Sequence, residues 1–309
     1  MVTSGAHIKE LGQAPPGQLS LHAVAKEFLQ PRHTMSGFEW RNQRGSDGTV
    51  FVRALRSLVT ANLPKILPDL DSGIADQIKI ELGKLSGAHG RRSVSVFAMV
   101  KLLVGRAGCI AFFGHDMGSN EVLTQFFLGI YNDCIKAQSS DFLETVTCVA
   151  EEVFIKAEYF RLLPESIAAI VSRGQNRSRT MFEALHSIVE RRRRMQDGAL
   201  LTRDVLQDLI ENAPSDWSVP RCVHEIMGLW IGAFGTLVPT ATYAVLDLYS
   251  HPDNIVPLQA ELRGPAFSEF LATSQGLPLL DAFLQESMRL SFSESSKRAP
   301  ERNQEMNGD

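Results

Sequence analysis

Few side chains in this 309-residue chain stand at spacings that do chemistry. His224 and Glu225 are neighbours at the start of a long uncharged stretch, and each is a candidate general acid or base. His115 and Asp116 follow Gly114 in a loop, where functional groups gather. Thr236 is a candidate hydrogen-bond donor to a ligand, although threonines in helices commonly bond their own backbone instead. Trp230 and Phe234 stand four apart, and Leu237 or Val238 continues the spacing. A helix would gather them on one broad face with Met227 and Ile231. Such a face either lines a hydrophobic ligand, with the rings able to stabilise a cation, or fills a core. No two of the eight histidines are four apart, and Cys109, Cys134, Cys148 and Cys222 form no C-x-x-C pair, so no metal site and no disulfide framework are expected.

The elements that must position these groups read as helices. Almost no segment alternates with a period of two, and apolar residues recur at helical spacing in one stretch after another. Helices are predicted over 19–30, 50–63, 71–85, 95–113, 120–137, 141–160, 165–171, 173–194, 204–212, 220–249, 255–262 and 278–291. Pro31 is expected to stop the first, and Pro64 and Pro68 to interrupt the second. Gly114 suits a helix C-cap, and Pro220 a helix start. The fold class is therefore all-α with little or no sheet, in one domain over 1–294, followed by a disordered polar tail over 295–309.

Composition removes several function classes. Lysine and arginine total 31 against 35 acidic residues, a net charge of -4, which gives no nucleic-acid footprint. The run Arg191 to Arg194 reads as the solvated end of a helix, where positive charge is favoured. The start carries no apolar signal region, which predicts a cytoplasmic protein. Residues 226–246 are uncharged over a length that can cross a bilayer, but Pro239, three glycines and several threonines favour a buried core helix over an integral membrane span.

Residues 232–262, GAFGTLVPTATYAVLDLYSHPDNIVPLQAEL, resemble the long central helix of the cytochrome P-450 family and the helix after it. Gly232, Ala233 and Thr236 match the family's small-small-x-x-threonine pattern. Leu248, His251-Pro252, Leu258 and Glu261 match the pattern that follows. About 50 residues beyond the central helix, DAFLQESMRL (281–290) is similar to the family's E-x-x-R helix, with Glu286 and Arg289 as its structural pair. LQPRHTMSG (29–37), LRSLVTANLPKILPDL (55–70), FFGHDMGSNEVLTQFF (112–127), FRLLPESIAAIV (160–171) and IVERRRR (188–194) resemble successive segments of fungal members.

The resemblance implies a large apolar substrate cavity beside the central helix. It also implies haem held by a cysteine in an F-x-x-G-x-x-x-C-x-G loop some 60 to 90 residues past E-x-x-R, and this sequence carries no such loop and no membrane anchor. Gly235 stands before Thr236 where the family has an acid or histidine, and Leu237 replaces the second polar residue. Phe51 and Ala61 stand where relatives carry propionate-binding side chains. The expectation is a chain without cofactor: a haem-free enzyme of fungal secondary metabolism that cyclises or isomerises a small hydrophobic substrate, pericyclic closure included. Two readings stay open beside it. One is a hydrophobic-ligand-binding or helper protein that pairs with a true monooxygenase or dimerises with itself. The other is an inactive truncated cytochrome P-450.

Overall fold

The computed structural model describes residues 4–13, 21–38, 63–84, 94–114, 141–174, 176–194, 204–273 and 275–291. Among these residues every regular element is a helix. In chain order they are α1 (Gly5–Gln13), α2 (Leu21–Leu29), α3 (Pro31–Thr34), α4 (Leu63–Lys84), α5 (Val96–Phe113), α6 (Asp141–Leu162) and α7 (Glu165–Ser172). There follow α8 (Asn176–Arg194), α9 (Val205–Asn212), α10 (Val219–Ser250), a 3-10 turn (Pro252–Asn254), α11 (Ile255–Arg263), α12 (Pro265–Thr273) and α13 (Pro278–Ser291). The expected helix over 120–137 and the polar tail lie outside the described residues.

Side-chain caps set several helix starts. Ser95, Asp204 and Ser218 each accept a backbone amide of the first turn, at Ala98, Gln207 and Arg221. The first proline expectation holds: α2 ends at Leu29, and after Gln30 takes a left-handed φ of 47° Pro31 opens the separate short helix α3. The second needs correction. Pro64 and Pro68 do not interrupt a helix, because α4 begins at Leu63 and runs through both. The amide of Pro64 would have no partner in a first turn, and Pro68 removes one bond near the helix end.

The chain divides into two compact units. The smaller contains α1, α2, α3, the part of α6 from Val153 onward, and α7. Within it α3 packs on α7, and Glu165 accepts from Arg32 at 3.4 Å and pairs with buried His33 at 3.1 Å. The His33 ring also lies 5.4 Å from that of Phe160.

The larger unit is built on α5 and α10, which pack along one another. Both are long and apolar enough to cross a membrane by length and composition, and here they form the core of this unit. The flank of α5 is covered by α4, while α8, α9 and α13 lie against α10. Close approach depends on two glycines of α5. A Cβ on Gly108 would stand 2.7 Å from the Trp230 ring, and one on Gly105 would stand 2.6 Å from Thr147.

The arginine run is not uniformly solvated. Arg192 is buried, donates to Asp204 at 2.7 Å and to the Phe113 carbonyl at 2.8 Å, and so joins the ends of α5, α8 and α9. Half-buried Arg193 donates to the Cys222 sulfur at 3.1 Å. Helical rotation decides this outcome: successive residues turn by about 100°, so four adjacent arginines cannot share one face.

Candidate functional site

The central helix α10 has two opposed faces. Met227, Trp230, Ile231, Phe234 and Val238 are each at most 4 % exposed and point into the packed interior of the larger unit. The Trp230 indole donates to the Val146 carbonyl at 3.0 Å, so its polar edge is satisfied by backbone. Its ring stacks on Phe234 at 5.4 Å, meets Phe112 edge-on at 5.6 Å and lies 5.5 Å from Phe113. Four rings at these separations form one aromatic cluster.

The other face is open. Gly232, Thr236, Leu237, Tyr243 and Leu246 are exposed, with Pro239 and Thr240 half-buried between them. A Cβ added to Gly232 would meet nothing within 4 Å. The Thr236 hydroxyl donates to the Gly232 and Ala233 carbonyls at 3.1 Å each, and Thr240 donates to the Thr236 carbonyl at 2.8 Å. Leu237 is the most exposed large apolar residue of this stretch, at 53 %. Of the residues singled out in sequence, only Thr236 and Leu237 therefore lie on the open side. Thr240, Tyr243 and Leu246 join them there and were missed, although the spacing 232, 236, 239–240, 243, 246 is itself a helical stripe.

The titratable candidates are dispersed. Glu225 is buried and accepts from Arg221 at 3.0 Å, and the Arg221 guanidinium stacks on Trp217 at 4.4 Å. The His224 ring packs on Phe182 at 4.9 Å. Both stand more than ten residues before Thr236, about 18 Å along the axis at 1.5 Å per residue, so the three do not converge on one reacting atom. His115 and Asp116 lie outside the described residues. Their neighbour Gly114 has φ 89°, and a Cβ there would stand 2.7 Å from an Asp204 carboxylate oxygen. Burial pushes the Asp204 carboxyl above its ordinary range against the opposing pull of Arg192.

The E-x-x-R helix α13 is fixed by its neighbours. Both Glu261 oxygens accept backbone amides at its start, from Leu279 and Leu280 at 2.9 Å each. The Ser287 hydroxyl donates to Asp247 of α10. Arg289 grips Glu286 bidentately, at 2.7 Å and 2.5 Å, with both side chains more than half exposed. That hydrogen bond holds the Glu286 carboxyl below its ordinary range.

A long central helix with the small-small-x-x-threonine pattern is followed by the E-x-x-R helix, in the order the sequence pointed to, and the Ser287–Asp247 hydrogen bond joins the two. The cytochrome P-450 family profile matches residues 47–302, most of the chain. The chain belongs to the cytochrome P-450 family. It is 21 % identical over 307 residues to cytochrome P-450 monooxygenase olcJ of Penicillium canescens, an alignment covering 94 % of this chain and 53 % of the relative. Over 118 residues it is 28 % identical to carnosic acid synthase of Salvia pomifera, covering 36 % of this chain and 24 % of that protein, with the same figures for the Salvia fruticosa enzyme. The chain thus spans about half the length of its curated fungal relative.

Cytochrome P-450 enzymes hold haem iron by a cysteine thiolate. Among the described residues none fits that role. Cys109 is 2 % exposed, and burial pushes its thiol up to about 12. Cys222 is fully buried, and Cys148 is half-buried on α6; burial raises both thiols above the ordinary range despite nearby arginine or lysine. A protonated thiol packed inside a helix bundle does not reach a metal on an open face. Cys134 lies outside the described residues. No group of three histidine, cysteine, aspartate or glutamate side chains among the described residues could hold a metal ion.

Proposed function

We propose that this member of the cytochrome P-450 family works without haem, as a non-oxidative enzyme of fungal secondary metabolism that cyclises or isomerises a hydrophobic polyketide- or terpenoid-type intermediate. The observation that carries the reading is the two-sidedness of α10. One side is filled by packed aromatic rings, and the other presents Gly232, Thr236, Leu237, Tyr243 and Leu246 outward. Gly232 lets a ligand approach the helix backbone, while Leu237, Tyr243 and Leu246 give apolar area that holds it in one folded geometry. Fixing a flexible chain in a reactive conformer removes the entropic part of a cyclisation barrier, which is worth several orders of magnitude in rate. The burial of Cys109 and Cys222, which raises both thiols above their ordinary range, supports chemistry without an axial thiolate.

The test is incubation of purified full-length protein with a cyclisable polyene or terpenoid precursor, without NADPH or reductase. Conversion to a ring isomer of equal mass is expected, with no Soret absorbance in the protein. A Soret band with an iron–thiolate signature, or conversion that requires reductant, would overturn the reading.

One observation favours a second reading, a hydrophobic-ligand-binding or helper protein paired with a true monooxygenase. On α13 the Glu286–Arg289 pair, Met288 and Leu290 are all exposed, a mixed polar and apolar surface of the kind partners cover. Ligand that binds and is recovered unchanged would favour it.

A further inference from the structure

We infer that the outer face of α6 and α7, in the smaller unit, is where two copies of this chain pair about a two-fold axis. Ile155, Tyr159 and Leu162 of α6 stand four and three residues apart, so they form one stripe, and they are 60, 66 and 84 % exposed. On α7, Ile167, Ile170 and Val171 make a second stripe at 45, 68 and 53 %. Exposed Leu163 and Pro164 join the two helices, so the apolar surface continues through the corner. The other sides of these helices are already packed: Val153, Ala157, Phe160 and Ala168 are buried, and α7 rests on α3. The six residues of the two stripes expose on the order of 700 Å², more than the roughly 300–600 Å² of the largest apolar patch on an ordinary monomer. That area is close to the about 800 Å² that each partner gives to a standard interface. The charges around it decide between occupants. Along the chain Lys156, Arg161 and Arg173 alternate with Glu158 and Glu165. A helix held on anionic lipid carries a marked basic excess, and this rim has both signs instead. A two-fold axis sets a patch against itself, where a rim of one sign would repel and a mixed rim finds partners. Such a contact closes at two copies and covers the stripes without building a filament.

Sedimentation velocity of the full chain over a dilution series tests the inference. A monomer–dimer equilibrium is expected, with a dissociation constant of about 1 μM or below, the range of standard-size interfaces. Leu162→Asp and Ile170→Asp, one on each helix, should each weaken it about thirtyfold or more, as loss of a hot-spot side chain does, with far-UV circular dichroism unchanged. Leu237→Asp, on α10 in the larger unit, should leave it as it is. Amide exchange of the wild type needs no substitution, and it should slow over residues 155–171 between dilute and concentrated samples. A wild type that is monomeric at every concentration overturns the inference, and so does association that passes two copies without a plateau. A dimer that survives both aspartate substitutions, that is lost equally in Leu237→Asp, or that slows exchange only in other segments places the contact elsewhere and overturns it too. Monomeric protein that binds phosphatidylcholine–phosphatidylserine vesicles, and loses that binding in Leu162→Asp, overturns it in favour of a lipid surface.

Discussion

At the residue scale, the aromatic cluster and the buried ion pair carry most of what is specific to this fold. Trp230 fills the space left by Gly108 and spends its only donor on the Val146 carbonyl. Trp230→Ala should therefore lower stability by about 3–5 kcal/mol, measured by denaturant unfolding, because it opens a cavity and removes the indole's hydrogen bond to that carbonyl. A loss below about 1 kcal/mol would mean the ring faces solvent or ligand. Asp204 sets a pH dependence. Burial raises its carboxyl in the folded state, so the native protein holds that proton more tightly than the unfolded chain. The associated stability is complete below the unfolded value and is lost as pH rises through the raised folded value. The melting midpoint should carry a downward component as pH rises from about 4, and Asp204→Asn should remove it. Arg192→Ala leaves the Asp204 carboxylate buried without its cation and should cost about 3–5 kcal/mol.

At the scale of elements, the position of α13 depends on a cap borrowed from another helix. The first amides of a helix need partners, and Glu261 supplies both of its oxygens to Leu279 and Leu280. Glu261→Ala should fray the start of α13 and lower stability by about 1 kcal/mol, seen as faster amide exchange at Leu279 and Leu280 with α5 unchanged. Pro239 is the second element-level feature. It removes one bond from the middle of a 32-residue helix, yet α10 continues to Ser250. Threonine hydroxyls at 236, 240 and 242 bind the carbonyls of Gly232, Thr236 and Val238, so none of these bonds replaces the one that Pro239 withholds from Gly235.

At the scale of the molecule, the thiols report on packing. Cys109 and Cys222 are buried and protonated, and they should resist alkylation at neutral pH until the larger unit unfolds. Half-buried Cys148 should react sooner, although burial raises it too. Mass spectrometry of labelled peptides separates the sites. Prompt labelling of Cys222 would contradict the packing of α8 on α10.

Periodicity alone determined that the chain is helical, and most helix positions followed from it. The predicted helix over 95–113 differs from α5 by its first residue, because Ser95 and Gly114 are local signals that act on their own neighbours. The family was equally legible, since the central helix, the segment after it and E-x-x-R are contiguous stretches of sequence. Which face of α10 meets the core was not legible. Trp230 and Phe234 suit a ligand wall or a core equally well, and the choice depends on Gly105 and Gly108 more than a hundred residues earlier, which let α5 close over those rings. Nor does sequence distinguish Arg192 from its three neighbours. Its burial follows from the meeting of α5, α8 and α9 at Asp204, which only the packed chain brings about. Local rules fix what each segment can be; the faces that function uses are set by long-range packing, because burial depends on what the rest of the chain lays against them.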